Sequence, residues 1–205
     1  TTRWIISVFV FALLLLLLVS TFAVAGEAGK RSDNQDPKPE AGKALVVFVR
    51  VSAVGSMISS SVYDAPDGDT RFIGIVQRGN KVAYQAEPGA HRFMVIAENA
   101  DFMDATLEAG KTYYVLVSPR MGVWKARFSL LPVHNDPAAE ESVQSAEFKK
   151  WMAKSSFVEA TESNLAWYEK SKGSVEEKKA DYVKKWNVML PADKAELTLK
   201  AEDGV

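Results

Sequence analysis

Short apolar runs that alternate with polar residues dominate the chain between residues 44 and 133. An alternation with a period of two places successive side chains on opposite faces of a β-strand. Turn-forming residues such as Pro66-Asp67-Gly68 separate the runs. Proline presets φ and glycine supplies positive φ, and both properties favour a tight turn. The spacing of roughly 10–12 residues predicts a mainly β fold, an antiparallel β-sandwich of seven or eight short strands. The predicted strands are 44–51, 58–63, 71–77, 82–86, 91–97, 105–108, 113–117 and 124–131.

In the last of these strands the alternation indicates which residues belong to the core. Phe128 and Leu130 are expected to face inward together with Trp124, whereas Arg127 and Ser129 are expected to face outward. Val115 is expected to join the same core.

Several of the strands are apolar on both faces. A sheet with one face in water shows polar residues on that face, so at least one sheet must be covered on its outer side. We expect the C-terminal extension 134–205 to be that cover and to lie against the face that carries Val46 and Phe48. The other outer apolar pairs are Met94 with Ile96 and Tyr114 with Leu116.

The C-terminal extension shows apolar residues at helical spacing. Asp136-Pro137 predicts a helix start, with aspartate as N-cap and proline at the first helical position. Gly173 is expected to separate two helices, and Ser174 with Glu177 predicts a capping box for the second one. Pro191 is expected to end this helix, and 195–199 predicts a short strand.

The N-terminal segment predicts where the protein lies. Residues 4–25 contain no charged side chain, and as a helix of about 33 Å they would span a bilayer core. Arg3 keeps the N-terminal side cytoplasmic by the positive-inside rule. The small residues Ala23 and Ala25 also fit a signal-peptidase site, so residues 1–25 are either a signal peptide or a membrane anchor helix. Both alternatives predict an extracytoplasmic protein of the cell envelope.

Residues 26–43 carry no large apolar side chain and are rich in glycine, proline and charges. Such a composition cannot bury a core, so it predicts a flexible linker between the N-terminal segment and the sandwich.

Two sequence runs resemble a known family. Residues 87–91 (EPGAH), followed by 107–115 (LEAGKTYYV), resemble the sequence pattern of PEGA-like sandwiches, which are small domains of the bacterial envelope. The resemblance covers about residues 44–132. It implies a surface or periplasmic module without catalysis.

Composition excludes several kinds of chemistry. The chain has 25 basic and 26 acidic residues, a net charge of −1, whereas general nucleic-acid binders carry a basic excess. It contains no cysteine, which excludes disulfides, thiolate metal sites and a lipid-modified cysteine. No cofactor, metal or catalytic residue is predicted.

The polar candidates have structural alternatives. Asp64, Asp67 and Asp69 carry the oxygen ligands that calcium prefers, but a polar hairpin turn explains them better. His91 and His134, the only two histidines, are expected in ordinary strand and loop roles. The serines at 59–61 lack the Gly-x-Ser-x-Gly elbow of hydrolases.

Three tryptophans of the extension, Trp151, Trp167 and Trp186, are the candidate contact residues. Exposed tryptophans stack on sugars or anchor partner proteins, whereas buried ones would pack the helices onto a sheet. The sequence therefore predicts a non-enzymatic envelope module that docks to a protein partner. The alternative is a module that binds carbohydrate or peptidoglycan.

Overall fold

The computed structural model describes residues 27–52, 58–120 and 127–205. The strands among these residues are β1 Lys30–Arg31, β2 Ala44–Arg50, β3 Ser60–Asp64, β4 Arg71–Val76, β5 Asn80–Ala86, β6 Gly89–Ile96, β7 Ala100–Leu107, β8 Thr112–Arg120, β9 Arg127–Val133, β10 Ser156–Glu159 and β11 Thr198–Leu199. The helices are α1 Ala146–Lys154, α2 Glu162–Val188 and α3 Pro191–Glu196, followed by a 3₁₀ turn at Ala201–Asp203.

The strands form two sheets, with the orders β1-β10-β5-β2-β8-β9 and β11-β7-β6-β3-β4. The fold is mainly β, as predicted, but both sheets are mixed rather than antiparallel. β2 runs parallel to β8, β10 parallel to β5, and β11 parallel to β7. Alternation within a strand carries no information about the direction of its neighbour, which explains this error.

The main core lies between the two sheets. Val46 and Phe48 of β2 face it, and the Phe48 ring meets Phe93 of β6 edge-on at 5.3 Å between ring centroids. Our expectation that the C-terminal extension covers Val46 and Phe48 is therefore wrong. Every residue of β2 is buried, and a strand buried on both faces does not reveal which face turns inward.

On the first sheet, the C-terminal extension covers the outer face with α1 and adds β10 as a further strand. Leu45 and Val47 pack against Phe157 of β10, and Val49 belongs to a cluster with Phe148 of α1. The prediction that a sheet is covered on its outer side is confirmed here.

The same extension also covers the outer face of the second sheet. Helix α2 packs Tyr168 and Trp186 onto a cluster that includes Tyr63, Met94 and Phe102 of the sheet. The predicted coverage of the outer apolar pair Met94 and Ile96 is thereby confirmed. Both sheets, rather than one, have a covered outer face.

The helix boundaries in the extension differ from the predicted ones. Asp136 caps a turn by accepting from the Ala138 backbone N–H, and α1 begins later, after the N-cap Ser145. Gly173 lies inside α2, which runs without a break through 27 residues. The capping box at the start of α2 joins Thr161 and Asn164 instead of Ser174 and Glu177. Burial of α2 on the sheet offsets the cost of about 1 kcal/mol that a helical glycine carries.

The end of the extension is partly as expected. Pro191 occupies the start of α3 instead of only ending the preceding helix. The short strand predicted within 195–199 is present as β11, which pairs with Asp104 and Ala105 of β7.

Residues 27–43 contact the folded domain and do not form the free linker that their composition predicts. β1 pairs with β10, and Gln35 exchanges two hydrogen bonds with the Phe157 backbone. The Asn164 side chain donates to the Glu27 carbonyl at 2.9 Å. Backbone pairing and polar contacts order this segment without any large apolar side chain.

The expected N-terminal membrane helix, residues 4–25, lies outside the described residues, as does Trp124. Within the described part of the chain, no helix combines the length and the hydropathy that crossing a membrane requires.

The strand faces around β9 are largely as predicted. Phe128, Leu130 and Val115 are buried in the main core, and Arg127 is exposed. Ser129, expected to face water, is buried, and its hydroxyl is satisfied by donating to Asp101 of β7.

Phe128→Ala should lower the free energy of unfolding by about 3–5 kcal/mol, because it removes a fully buried ring and leaves a cavity. Chemical denaturation measures this difference. Leu190→Ala is the control, since Leu190 is 65% exposed. Equal stabilities of the two variants would contradict the placement of Phe128.

Asn164→Ala should destabilise the protein by about 1–3 kcal/mol, because it removes a capping box and leaves the Glu27 carbonyl without its donor. Asn187→Ala in the same helix is the matched control, since Asn187 is exposed. If the two variants unfold alike, residues 27–43 are not held by Asn164.

Candidate functional site

A cleft beside α1 contains one of the three candidate tryptophans, and we call it the Trp151 cleft. Its volume is about 730 Å³. It lies where α1 meets the end of β2 and the β4–β5 turn. Its lining residues are Val51, Ser52, Arg78, Gly79, Glu147, Lys150, Trp151 and Lys154.

Trp151 is held in place because α1 is capped at its N-terminus and packed against the sheet. Ser145 caps the helix by accepting from the Phe148 N–H at 3.0 Å. The Phe148 ring is buried against Tyr114 of β8, at 4.8 Å between centroids, and Trp151 packs edge-on against Phe148. Trp151 is thereby half-buried, with part of its ring left at the cleft.

The last turn of α1 is anchored to the sheet by Lys81 of β5. The Lys81 ammonium donates to the Met152 carbonyl at 2.9 Å and lies 4.6 Å from the centre of the Phe157 ring. Burial lowers the pKa of Lys81, but these contacts favour its charged form. A positive charge at a helix C-terminus also interacts favourably with the helix dipole.

The cleft is positively charged although the whole chain is not. It combines Arg78, Lys150 and Lys154 with a single acid, Glu147, which pairs with Lys150 at 3.3 Å. Within the described residues, Arg78 and Lys154 form no ion pair. The cleft can therefore bind a negatively charged group beside an aromatic face.

The three candidate tryptophans lie at separate places. Trp167 is half-buried and packs against Phe72 of β4, at 6.2 Å between ring centroids. Trp186 is 1% exposed and packs against Phe102. Trp186 therefore packs α2 onto the sheet, which was the structural alternative for the candidate tryptophans, and its ring is not exposed to a partner.

Sequence reasoning missed Arg78, Lys150 and Lys154 as site residues. Each is an ordinary exposed cation in its own segment. Only the packing of α1 beside the β4–β5 turn brings them together, so no local signal could have identified them.

His91 pairs with a carboxylate at the opposite end of the sandwich. Its Nδ1 lies 3.1 Å from an Asp64 carboxylate oxygen, and its Nε2 lies 2.7 Å from the Glu87 carbonyl. A carboxylate and a carbonyl both accept hydrogen bonds, so the protonated imidazole satisfies both partners. The ring also stacks on Phe93.

The pKa values of this pair move apart. The hydrogen bond to Asp64 raises the pKa of His91, although burial and Arg71 act in the opposite direction. Burial alone would raise the pKa of Asp64, but the hydrogen bonds from His91 and Tyr84 outweigh it and lower that pKa. Both shifts favour the ionic form of the pair.

The three aspartates of the 64–69 hairpin do not converge on one point. Asp64 accepts from His91 and Tyr84, whereas Asp67 pairs with Arg92 at 3.1 Å. Among residues 27–52, 58–120 and 127–205, no group of three or more His, Asp or Glu side chains is arranged to hold a metal ion.

The remaining polar candidates have structural partners. Ser60 and Ser61 donate to the carbonyls of Val76 and Ile96. His134 lies 3.0 Å from Asp203, which also accepts from the Lys200 N–H. These contacts join neighbouring strands and hold the end of the chain.

No protein-family model and no curated protein matches this chain. The resemblance to PEGA-like domains therefore stays a prediction.

The stability of the protein should fall as the pH rises through the pKa of folded His91. The unfolded pKa is about 6.5 and the folded value is higher, so the ionic pair contributes its full stabilisation only below about pH 6.5. Urea unfolding between about pH 6 and about pH 9 measures this loss. His91→Gln should show a smaller difference between the two pH values, and an undiminished difference would contradict the assignment.

Proposed function

We propose that this protein is a non-catalytic module of the cell envelope, held outside a membrane, that docks to a protein partner through the Trp151 cleft. The partner segment is acidic and carries an apolar side chain. The observation that supports this proposal is the combination in one cleft of Trp151 with Arg78, Lys150 and Lys154.

The cleft has the properties of a preformed binding site. A tryptophan held by a buried neighbour supplies contact area at little entropic cost, and such residues commonly dominate binding energies. The surrounding cations steer an acidic partner and determine its register. Phe148 and Lys81 hold α1 to the sheet, so binding requires little rearrangement.

The sequence supports the proposed location. Segment 4–25 directs the chain into or across a membrane, and Arg3 keeps the N-terminal side cytoplasmic. If the segment is retained as a helix, the sandwich lies close beside the membrane, because Glu27 is bound by Asn164 and β1 is paired with β10. The resemblance to PEGA-like domains favours the same compartment.

The second candidate is a module that binds an acidic carbohydrate of the cell wall. The partly exposed Trp151 ring lies in the same cleft as Ser52 and Glu147, and stacking on an aromatic face with polar groups at its edge is how many proteins hold sugars. Both candidates use the same residues, so the bound material distinguishes them.

Affinity capture from detergent-solubilised envelope membranes tests the proposal. The wild-type chain should retain one stoichiometric protein, and Trp151→Ala should weaken its binding about 30-fold, as expected for a contact worth about 2 kcal/mol. Lys154→Glu should weaken binding several-fold and reduce its salt dependence. Trp167→Ala is the matched control, since Trp167 lies outside this cleft, and should bind like the wild type.

Two outcomes would contradict docking at this cleft. The first is equal loss of the partner with Trp167→Ala and Trp151→Ala. The second is retention of the wild-type chain on insoluble cell wall without a protein partner. Retention that is lost with Trp151→Ala would support the carbohydrate candidate instead.

A further inference from the structure

A second cleft, which we call the arginine cleft, opens between the β8–β9 strand pair and helix α2. Its volume is about 240 Å³. The argument depends on Asp101, Arg120, Arg127, Tyr182, Lys185 and Met189, all of which line it. None of these residues belongs to the Trp151 cleft.

The strand register places two like charges opposite each other in this cleft. Arg120, the last residue of β8, is paired with Arg127, the first residue of β9. Like charges directly opposite across two strands destabilise a sheet. Lys185 of α2 adds a third cation, and neither Arg127 nor Lys185 has an ion-pair partner among the described residues.

Asp101 does not neutralise this group of cations. It lies 3.7 Å from Arg120 and is the only acid of the cleft lining. Its oxygens already accept from the Ser129 hydroxyl, the Tyr182 hydroxyl and the Phe102 N–H. Burial and the bond to Asp101 raise the pKa of Tyr182, so the tyrosine remains a donor. With three cations and one carboxylate, the residues that line the arginine cleft have an excess of two positive charges.

From this geometry we infer that the arginine cleft binds the oxyanion group of a small organic ligand, a phosphate or a carboxylate. The guanidinium groups of Arg120 and Arg127 supply the planar, forked donors that bind such groups in bidentate fashion. Met189 provides an apolar wall for the body of the ligand. The binding of an anion would relieve the repulsion between the two arginines, and this inference does not depend on the function proposed for the Trp151 cleft.

Thermal unfolding of the full chain in a non-ionic detergent tests the inference. The two probes are inorganic phosphate and D-glucuronate, each compared with chloride at equal ionic strength. At a probe concentration of about ten times Kd, Tm should rise by about 3–5 °C. The probe with the lower Kd identifies whether the site prefers a phosphate or a carboxylate.

Arg127→Gln should abolish the rise in Tm that the probe causes. Without probe and at low salt, the same variant should melt at or above the wild-type temperature, because it removes the like-charge pair. Lys185→Gln should weaken probe binding without this second effect. Lys170→Gln, which removes an exposed cation of α2 outside both clefts, is the control and should keep the full rise.

The inference is overturned if neither probe raises Tm beyond chloride, or if Arg127→Gln keeps the rise. A rise that Arg78→Gln abolishes as strongly as Arg127→Gln also overturns it, because the anion would then bind at the other cleft. Loss of partner binding by Trp151→Ala concerns only the proposed function and leaves this inference untouched.

Discussion

The burial of β2 on both faces is the constraint on which the rest of the structure depends. Val46 and Phe48 fill the space between the sheets, so Leu45 and Val47 must be covered from outside. A bare sandwich would leave this apolar face in water, which costs about 25 cal/mol for each Å² of apolar surface. The C-terminal extension is therefore part of the fold and cannot be treated as an accessory.

Polar contacts also position that cover. The buried Lys179 of α2 donates to the carbonyls of Pro66 and Gly68 in the β3–β4 hairpin, and Asn164 binds Glu27. A buried ammonium is tolerated only when its donors are satisfied. These contacts place the middle of α2 over the hairpin and connect its first turn to Glu27.

Both clefts occur where a covering helix meets the ends of strands. There the apolar face of the helix packs on the sheet, and the cations on its other face remain near solvent. Lys154 of α1 and Lys185 of α2 are in this position. A chain with a net charge of −1 thus has two basic clefts. Composition gives only the number of charges, whereas the fold determines where they lie.

The sequence by itself determined the eight strands between residues 44 and 133, the turns between them and the presence of a helical cover, because periodicity and turn chemistry are local. It predicted that Phe128 is buried, but it could not show that α2 continues through Gly173, since burial on a sheet overrides helix propensity. The burial of Trp186 and the meeting of Arg78 with Trp151 were decided by tertiary structure alone. Packing brings together residues that are distant along the chain, and no local pattern records which of them will meet.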